Sequence, residues 1–327
     1  MIDAAIVGLG RWGEALVNSV QGKSDKIRFV RAVTRTPAKA KDFAAKSGIP
    51  VDSDYDAALK DPAVRAIVLA TPHTQHADQI IAAARAGKHV FVEKPFTLTR
   101  ATAEQALEAC RKAKVAVGVG HNRRFLPPLI ELKRMAASGA LGPLLHVEGI
   151  FAVNIGGPND AWRNSRAESP AGGMTSLGIH ALDLMIGLAG PVTEVTAMTQ
   201  RRAISWDIDD TTVMLFRHKS GATGYLCTLA QGARLIMVRA FGPKGWAEMH
   251  GERQLIRCMA PPGGMGGEEQ KTDYPAFDSL NAELEAFAAA ANGGPAYPVT
   301  PAEIVNGVAV LEAIDQSARE KRTVTIG

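Results

Sequence analysis

Three clusters in the 327-residue chain combine residue types that can move a proton or hold an anion. The first is His89-Val90-Phe91-Val92-Glu93-Lys94-Pro95, an apolar strand-like run that ends on a carboxylate, an ammonium and a proline. A partly desolvated lysine has its pKa lowered and can exchange a proton with a substrate oxygen, and Glu93 compensates its charge. Taken alone, these seven residues are better explained as a solvated ion pair at a strand end. The second cluster is Ser176, His180 and Asp183, at i, i+4 and i+7 inside the apolar stretch Gly172 to Leu188, where helical spacing puts them on one face. A polar stripe in an apolar helix requires a cleft or buried partners; a core histidine satisfied by Asp183 one turn on is the alternative. The third is Gly8-Leu9-Gly10-Arg11-Trp12-Gly13, whose glycines allow a tight turn, close approach of a pyrophosphate and close helix–strand packing.

The elements that must position these clusters alternate strand and helix. Asp3 to Val7 reads as a strand and Glu14 to Val20 as the following helix, the context the glycine motif needs. A second strand, Ile27 to Thr34, ends on Thr34-Arg35-Thr36, where a dinucleotide fold for NAD would place a carboxylate against the ribose. Arg35 can instead pair with a 2′-phosphate and stack on adenine, so the expectation weighs NADP(H) above NAD(H). After a helix over 37–47, a strand at 49–51 and a helix at 55–59, the apolar strand Val64 to Ala70 runs into Thr71-Pro72-His73-Thr74-Gln75-His76. His73 and His76 lack a carboxylate or cysteine companion for a metal, and no metal is expected; His76 is expected to hydrogen-bond beside the cofactor. A helix from Arg100 to Ala113 leads to the strand Val115 to Val119, which delivers Gly120-His121-Asn122-Arg123-Arg124 to the same edge. Ligands bind at the carboxyl ends of such strands, and a repeated polar or glycine cluster at each end is hard to explain by solvation.

Composition narrows the function classes. Hydrophobic residues at 46% and charged residues at 21% are ordinary for a globular protein, and the length suits two domains. Net charge is +4, but no dense Lys/Arg run appears, so a nucleic-acid partner is not expected. The three cysteines form no CxxC and no apolar run approaches the roughly 18 residues of a membrane span. A reducing, cytoplasmic setting without membrane attachment is the expectation. From about Leu144 the pattern becomes strands at hairpin spacing (Leu144 to Val153, then five between Val192 and Met249), which predicts an antiparallel sheet. The polar stretch 154–170 and the Gly-rich stretch 261–275 are expected as loops, with closing helices over 280–291 and 300–319.

Across nearly its full length the chain resembles the glucose–fructose oxidoreductase / inositol dehydrogenase / MocA family. The matching pieces are Gly8-x-Gly10-x-x-Gly13, Thr71-Pro72-x-x-x-His76, Ala86-Gly87-Lys88-His89-Val90 running into Glu93-Lys94-Pro95, Asn122-Arg123-Arg124-Phe125, Trp162-Arg163, and Gly172-Gly173 followed by Gly178-Ile179-His180-Ala181-Leu182-Asp183. The resemblance implies an α/β protein with an N-terminal Rossmann domain, residues 1–122, and a substrate-binding and oligomerisation α+β domain, residues 123–327, built on a large mostly antiparallel sheet. It implies NAD(P)-dependent dehydrogenase or reductase chemistry on CH–OH groups of a sugar, polyol or cyclic alcohol, and a homodimer or homotetramer joined through that sheet.

Carried over residue by residue, the resemblance implies Lys94 and His180 as the proton-handling pair. Asn122, Arg163, Ser176 and Asp183 are implied as substrate contacts. Gly8, Gly10, Arg11, Trp12, Gly13, Thr34, Arg35, Thr71, Pro72, His76, Glu93 and Lys94 line the cofactor, with Trp12 packed beside the nicotinamide. The family usually has an aspartate where this chain has Ser176, and a serine cannot hold a protonated imidazole electrostatically. Either Asp183 or another carboxylate substitutes, or Lys94 and His180 act alone, or the substrate is atypical. Two alternatives remain: an NADP-binding sensor that has lost catalysis, and a dihydrodiol-type dehydrogenase of the same architecture.

Overall fold

The computed structural model describes residues 1–155, 162–261, 263–264 and 266–327. Part of each expected loop, 156–161 and positions 262 and 265, lies outside the described residues. The chain divides into two compact units, one of Met1–Asn122 with Asp278–Ile304, the other of Arg123–Phe277 with Val305–Gly327.

The first unit is built on six parallel strands: β1 (Ile2–Val7), β2 (Ile27–Val33), β3 (Val51–Asp52), β4 (Ala66–Leu69), β5 (His89–Glu93) and β6 (Val117–Gly120), in the order β3-β2-β1-β4-β5-β6. Every residue of β4 and the last four of β5 are buried, as continuous apolar runs in a doubly covered parallel sheet should be. Helices Arg11–Val20, Tyr55–Lys60, His76–Arg85 and Arg100–Ala113 connect the strands. The last starts on Thr99, whose hydroxyl accepts from the Thr102 N–H. The strand ends are in register: Val33, Val7, Leu69, Val92 and Val119 are successive cross-strand partners. The residues just beyond this apolar row therefore share one edge, and the strand order reverses between β1 and β4, where such sheets form a crevice.

The sequence places 123–327 in one continuous domain, and the structure corrects this: Asp278–Ile304 belongs to the first unit. The Phe287 ring, on the helix Ser279–Ala291, meets Phe91 edge-on at 5.6 Å, and the Tyr297 hydroxyl donates to the Val119 carbonyl at 2.9 Å. Asn281 adds a donated bond to the Ser19 carbonyl, and Glu285 pairs with Lys26. Aromatic contacts across ~200 residues of chain leave no local signature, which is why a boundary drawn by pattern alone cannot find them.

Among its described residues the second unit carries nine strands: β7 (His146–Ala152), β8 (Val192–Gln200), β9 (Thr211–His218), β10 (Thr223–Leu229), β11 (Leu235–Gly242), β12 (Gly245–His250), β13 (Gln254–Met259), β14 (Glu269–Asp273) and β15 (Val324–Thr325). Their order is β14-β13-β12-β11-β7-β10-β9-β8-β15, antiparallel throughout except for the parallel pair β7 and β10. One face of the sheet packs into a core with helices Pro127–Ala137 and Ile179–Ala189, through Leu129, Leu132, Leu182 and Met185. The other face leaves Met198 and Leu215 more than half exposed. The expected loop at 261–275 contains β14, paired with β13; all five β14 residues are exposed, so no apolar alternation marks them. Pro127–Ala137, which the sequence reading leaves unassigned, is a helix with proline at its start.

Candidate functional site

The glycine turn has the geometry its sequence requires. Gly8 adopts φ +97°, and a Cβ there would stand 2.5 Å from the Ala70 carbonyl oxygen; one at Gly13 would stand 1.9 Å from the Gly8 oxygen. Gly10 instead faces open space and caps the helix Arg11–Val20 without any side-chain bond. The first N–H groups of that helix are thus left for an anion, with room beside them for its approach. The indole Nε1 of Trp12 is buried and has no hydrogen-bond partner among the described residues. Thr34 follows β2 with its N–H donating to the Asp52 carbonyl, and Arg35 is exposed just beyond. The residues that follow β2, Thr34-Arg35-Thr36, include no acid, and the nearby Asp52, opposite Val33 at the end of β3, pairs with Arg31 at 2.7 Å. A dinucleotide fits this set: helix N-terminus for pyrophosphate, a cation at the ribose end, and an unsatisfied indole donor. We expect Gly13→Ala to abolish dinucleotide binding, because the added methyl meets backbone rather than a flexible side chain; calorimetric titration with NADPH checks this.

At β4 and β5 the two strand ends are tied together. The Nδ1 of His76 lies 2.8 Å from the Pro95 carbonyl and its Nε2 lies 3.1 Å from the Thr71 carbonyl, with the ring fully buried. A neutral imidazole donates to only one of these oxygens, the charged ring to both. His76 is expected from the sequence beside the cofactor; its ring nitrogens are directed at backbone, so it braces the strand ends. Thr71 donates to Gln79 at 2.6 Å, fixing the same corner from its side chain. The Lys94–Pro95 peptide is cis, Lys94 is half-buried, and Glu93 is buried. Asn122 donates to the Ser279 hydroxyl at 2.8 Å, while its buried Oδ1 has no hydrogen-bond partner among the described residues. The structure thus brings Gly8, Gly10, Thr34, Arg35, Thr71, Lys94 and Asn122 to one edge of the first unit.

His73 and His76 meet as edge-on rings 5.8 Å apart. Among the described residues, no group of three or more His, Cys, Asp or Glu side chains is arranged to hold a metal ion.

Arg11 and Pro72 lie in the first unit with the rest of the predicted cofactor set; Arg163, Ser176, His180 and Asp183 lie in the second. The helix expected over 172–188 is broken: Met174–Gly178 is a π turn and the α-helix runs from Ile179 to Ala189. The wider π turn rotates Ser176 away from the alignment that an unbroken α-helix would give it with His180, and such turns concentrate at functional sites. Gly178 permits it, because a Cβ there would stand 2.0 Å from the Thr228 hydroxyl. His180 is buried and stacks on Phe151, ring centroids 5.7 Å apart at 21°. The Arg123 guanidinium sits 5.2 Å from the same Phe151 ring and pairs with Glu252 at 3.0 Å. Sequence reasoning missed Phe151, and it singled out Arg124 only as part of the Asn122-Arg123-Arg124-Phe125 stretch, without a partner; no spacing rule marks either contact.

Asp183, expected as a substrate contact or as a substitute for the absent aspartate, is engaged elsewhere. Arg124 donates from Nε to one carboxylate oxygen and from Nη2 to the other, both at 2.7 Å, and again to the Asp183 carbonyl at 3.1 Å. A fork-on-fork pair of this kind satisfies the carboxylate geometrically, so Asp183 orients its helix. Arg163 is exposed and lies over the Trp162 ring at 4.0 Å.

Comparison with known proteins follows the same division. The description "Oxidoreductase family, NAD-binding Rossmann fold" (GFO/IDH/MocA) matches residues 2–121, and the GFO/IDH/MocA C-terminal domain matches residues 129–248. The chain belongs to the GFO/IDH/MocA oxidoreductase family. As a member it is an NAD(P)-dependent oxidoreductase. It is 24% identical over 360 aligned positions to scyllo-inositol 2-dehydrogenase (NADP(+)) IolW of Bacillus subtilis, covering 99% of this chain and 96% of that protein. It is 34% identical over 163 residues to the scyllo-inositol 2-dehydrogenase (NAD(+)) of the same organism, 48% of this chain and 46% of that one. Among solved structures, aldose-aldose oxidoreductase from Caulobacter crescentus, complexed with glycerol, superposes with TM-score 0.88 at 28% identity over 99% of both chains. Relatives thus include both NADP and NAD enzymes.

Proposed function

We propose that the protein is an NADP(H)-preferring oxidoreductase that moves a hydride between nicotinamide and a secondary alcohol or carbonyl of a sugar, polyol or cyclic alcohol, with Lys94 and His180 handling the proton. The observation that carries the proposal is the position of Lys94, half-buried at the end of β5 on the same sheet edge as the open, uncapped glycine turn. The bound dinucleotide supplies the hydride acceptor or donor at C4 of its nicotinamide. The N–H groups after Gly10 hold its pyrophosphate, and Trp12 limits the pocket. In alcohol oxidation a neutral Lys94 takes the hydroxyl proton; in carbonyl reduction its ammonium donates to the oxygen. The buried Oδ1 of Asn122, without a partner among the described residues, is an acceptor for a substrate hydroxyl or the nicotinamide amide. The inositol and aldose enzymes among the relatives support a polyol or sugar substrate.

Arg35 carries the cofactor preference in this reading, because it is exposed just beyond β2 in a stretch, Thr34-Arg35-Thr36, that has no carboxylate of its own, while the neighbouring Asp52 is paired with Arg31. Arg35→Ala is expected to lower the NADPH-to-NADH affinity ratio by about tenfold or more, the loss of a charge-assisted phosphate contact. Parallel fluorescence titrations with the two reduced dinucleotides measure it, and an unchanged ratio would remove Arg35 from the assignment. Turnover of a panel of inositols, aldoses and cyclic diols tests the reaction itself. Tight NADPH binding without turnover on the whole panel would favour the second reading, a dinucleotide sensor, which Ser176 in place of the family's aspartate supports. The exposed Met198 and Leu215 on the open face of the second unit's sheet support assembly of a homodimer or homotetramer through that face.

A further inference from the structure

β5 and β6 end on directly paired residues, Glu93 and Gly120. Glu93 is buried, only 6% exposed, and its carboxylate lies flat over the Gly120 backbone. A Cβ built at position 120 would stand 2.7 Å from Oε1, 2.9 Å from Cδ and 3.0 Å from Oε2 of Glu93. All three nearest atoms belong to that one carboxylate. Two residues earlier the same strand has another glycine with a different neighbourhood: a Cβ at Gly118 would meet the rings of Phe91 and Phe287, at 3.0 and 3.1 Å. The two glycines are therefore separable. Gly118 makes room for an aromatic core, and Gly120 makes room for a charged group on the ligand-binding edge.

We propose that Gly120 is a positioning residue: it provides the seat that sets where the Glu93 carboxylate stands, and through it the nicotinamide end of the dinucleotide site. The inference rests on the reading of Glu93 as a residue of that end. Any side chain at 120 must drive the carboxylate out of its seat, since backbone on the β6 side cannot yield while the end of a glutamate can. The consequence falls on ligand binding more than on folding, because only flexible side-chain atoms are displaced.

The test is a double-mutant cycle on the full chain, read by fluorescence titration with NADPH and by thermal unfolding. Gly120→Ala is expected to weaken NADPH binding by about tenfold, the scale of one disturbed hydrogen bond to a charged group, with little change in Tm. Made together with Glu93→Gln, which keeps the size of the side chain, Gly120→Ala should remain damaging. Made together with Glu93→Ala, which empties the seat, it should have no further effect. Gly118→Ala should lower Tm and leave NADPH affinity unchanged. Equal effects of Gly120→Ala on all backgrounds, or wild-type affinity in the single variant, would overturn the inference while leaving the proposed function intact. Wild-type protein that binds neither NADPH nor NADH would overturn that function and the inference with it.

Discussion

Replacing Lys94 by alanine is expected to lower turnover by about a thousandfold while NADPH affinity changes by less than about tenfold, since a positioned acid–base group contributes 10²–10⁴ to rate. The asymmetry follows from where the binding groups are. In the proposed function the pyrophosphate would take the uncapped start of the helix Arg11–Val20 beside the open Gly10, and the exposed Arg35 would take the ribose end. Lys94 belongs to neither; it follows the last residue of β5, in a corner fixed by the contacts of the buried His76 ring with the Pro95 and Thr71 carbonyls. Steady-state kinetics with fluorescence titration separate the two quantities. Near-normal turnover in Lys94→Ala would remove the lysine from the chemistry. With Ser176 where the family usually has an aspartate, and both carboxylate oxygens of Asp183 engaged by Arg124, the proposed function asks a larger share of the proton transfer of Lys94.

The largest effect on stability is expected at Arg124. Its guanidinium and the Asp183 carboxylate are 4% and 7% exposed and meet through two bonds of 2.7 Å. A Cβ at Gly187 would stand 2.8 Å from the Arg124 Nη1, so a glycine on the same helix makes room for the planar group. Arg124→Ala leaves a buried carboxylate without its cation, which costs about 3–5 kcal/mol. In thermal unfolding this corresponds to a fall of roughly 6–20 °C for a unit of this size. Arg124→Lys rescues little, because an ammonium cannot present the two parallel donors that the carboxylate accepts. Removing both charges together, Arg124→Met with Asp183→Leu, should be far milder than Arg124→Ala alone. A double variant as damaged as the single one would mean that the pair does more than neutralise itself.

How much of this was legible in the sequence depended on whether the signal was local. The glycine turn, the apolar β4 and β5 runs and the polar clusters after them are written in consecutive residues, and the helix Arg100–Ala113 stands where its pattern and Thr99 cap place it. The register that aligns Val33, Val7, Leu69, Val92 and Val119 follows from parallel pairing of such runs. What stayed hidden was non-local or aperiodic. Phe287 and Tyr297 join the first unit through contacts with Phe91 and Val119, at a sequence distance no pattern covers. β14 has no buried face to betray it. The π turn at Met174–Gly178, which the close approach of Gly178 to Thr228 accompanies, spoils an i, i+4 argument that assumed a regular helix. The pairing of Asp183 with Arg124 was invisible for the same reason, and it changed the expected role of that aspartate.

The central claim is direct hydride transfer at the edge that carries Lys94, and one measurement addresses it without any variant. The wild-type protein is incubated with NADP⁺ and a set of inositols and aldoses carrying deuterium on the carbinol carbons, and the recovered dinucleotide is examined by mass spectrometry and NMR. The account predicts that at least one polyol or sugar delivers its deuterium to C4 of the nicotinamide, on a single face. Dinucleotide that binds but returns without deuterium from every member of the set would contradict it.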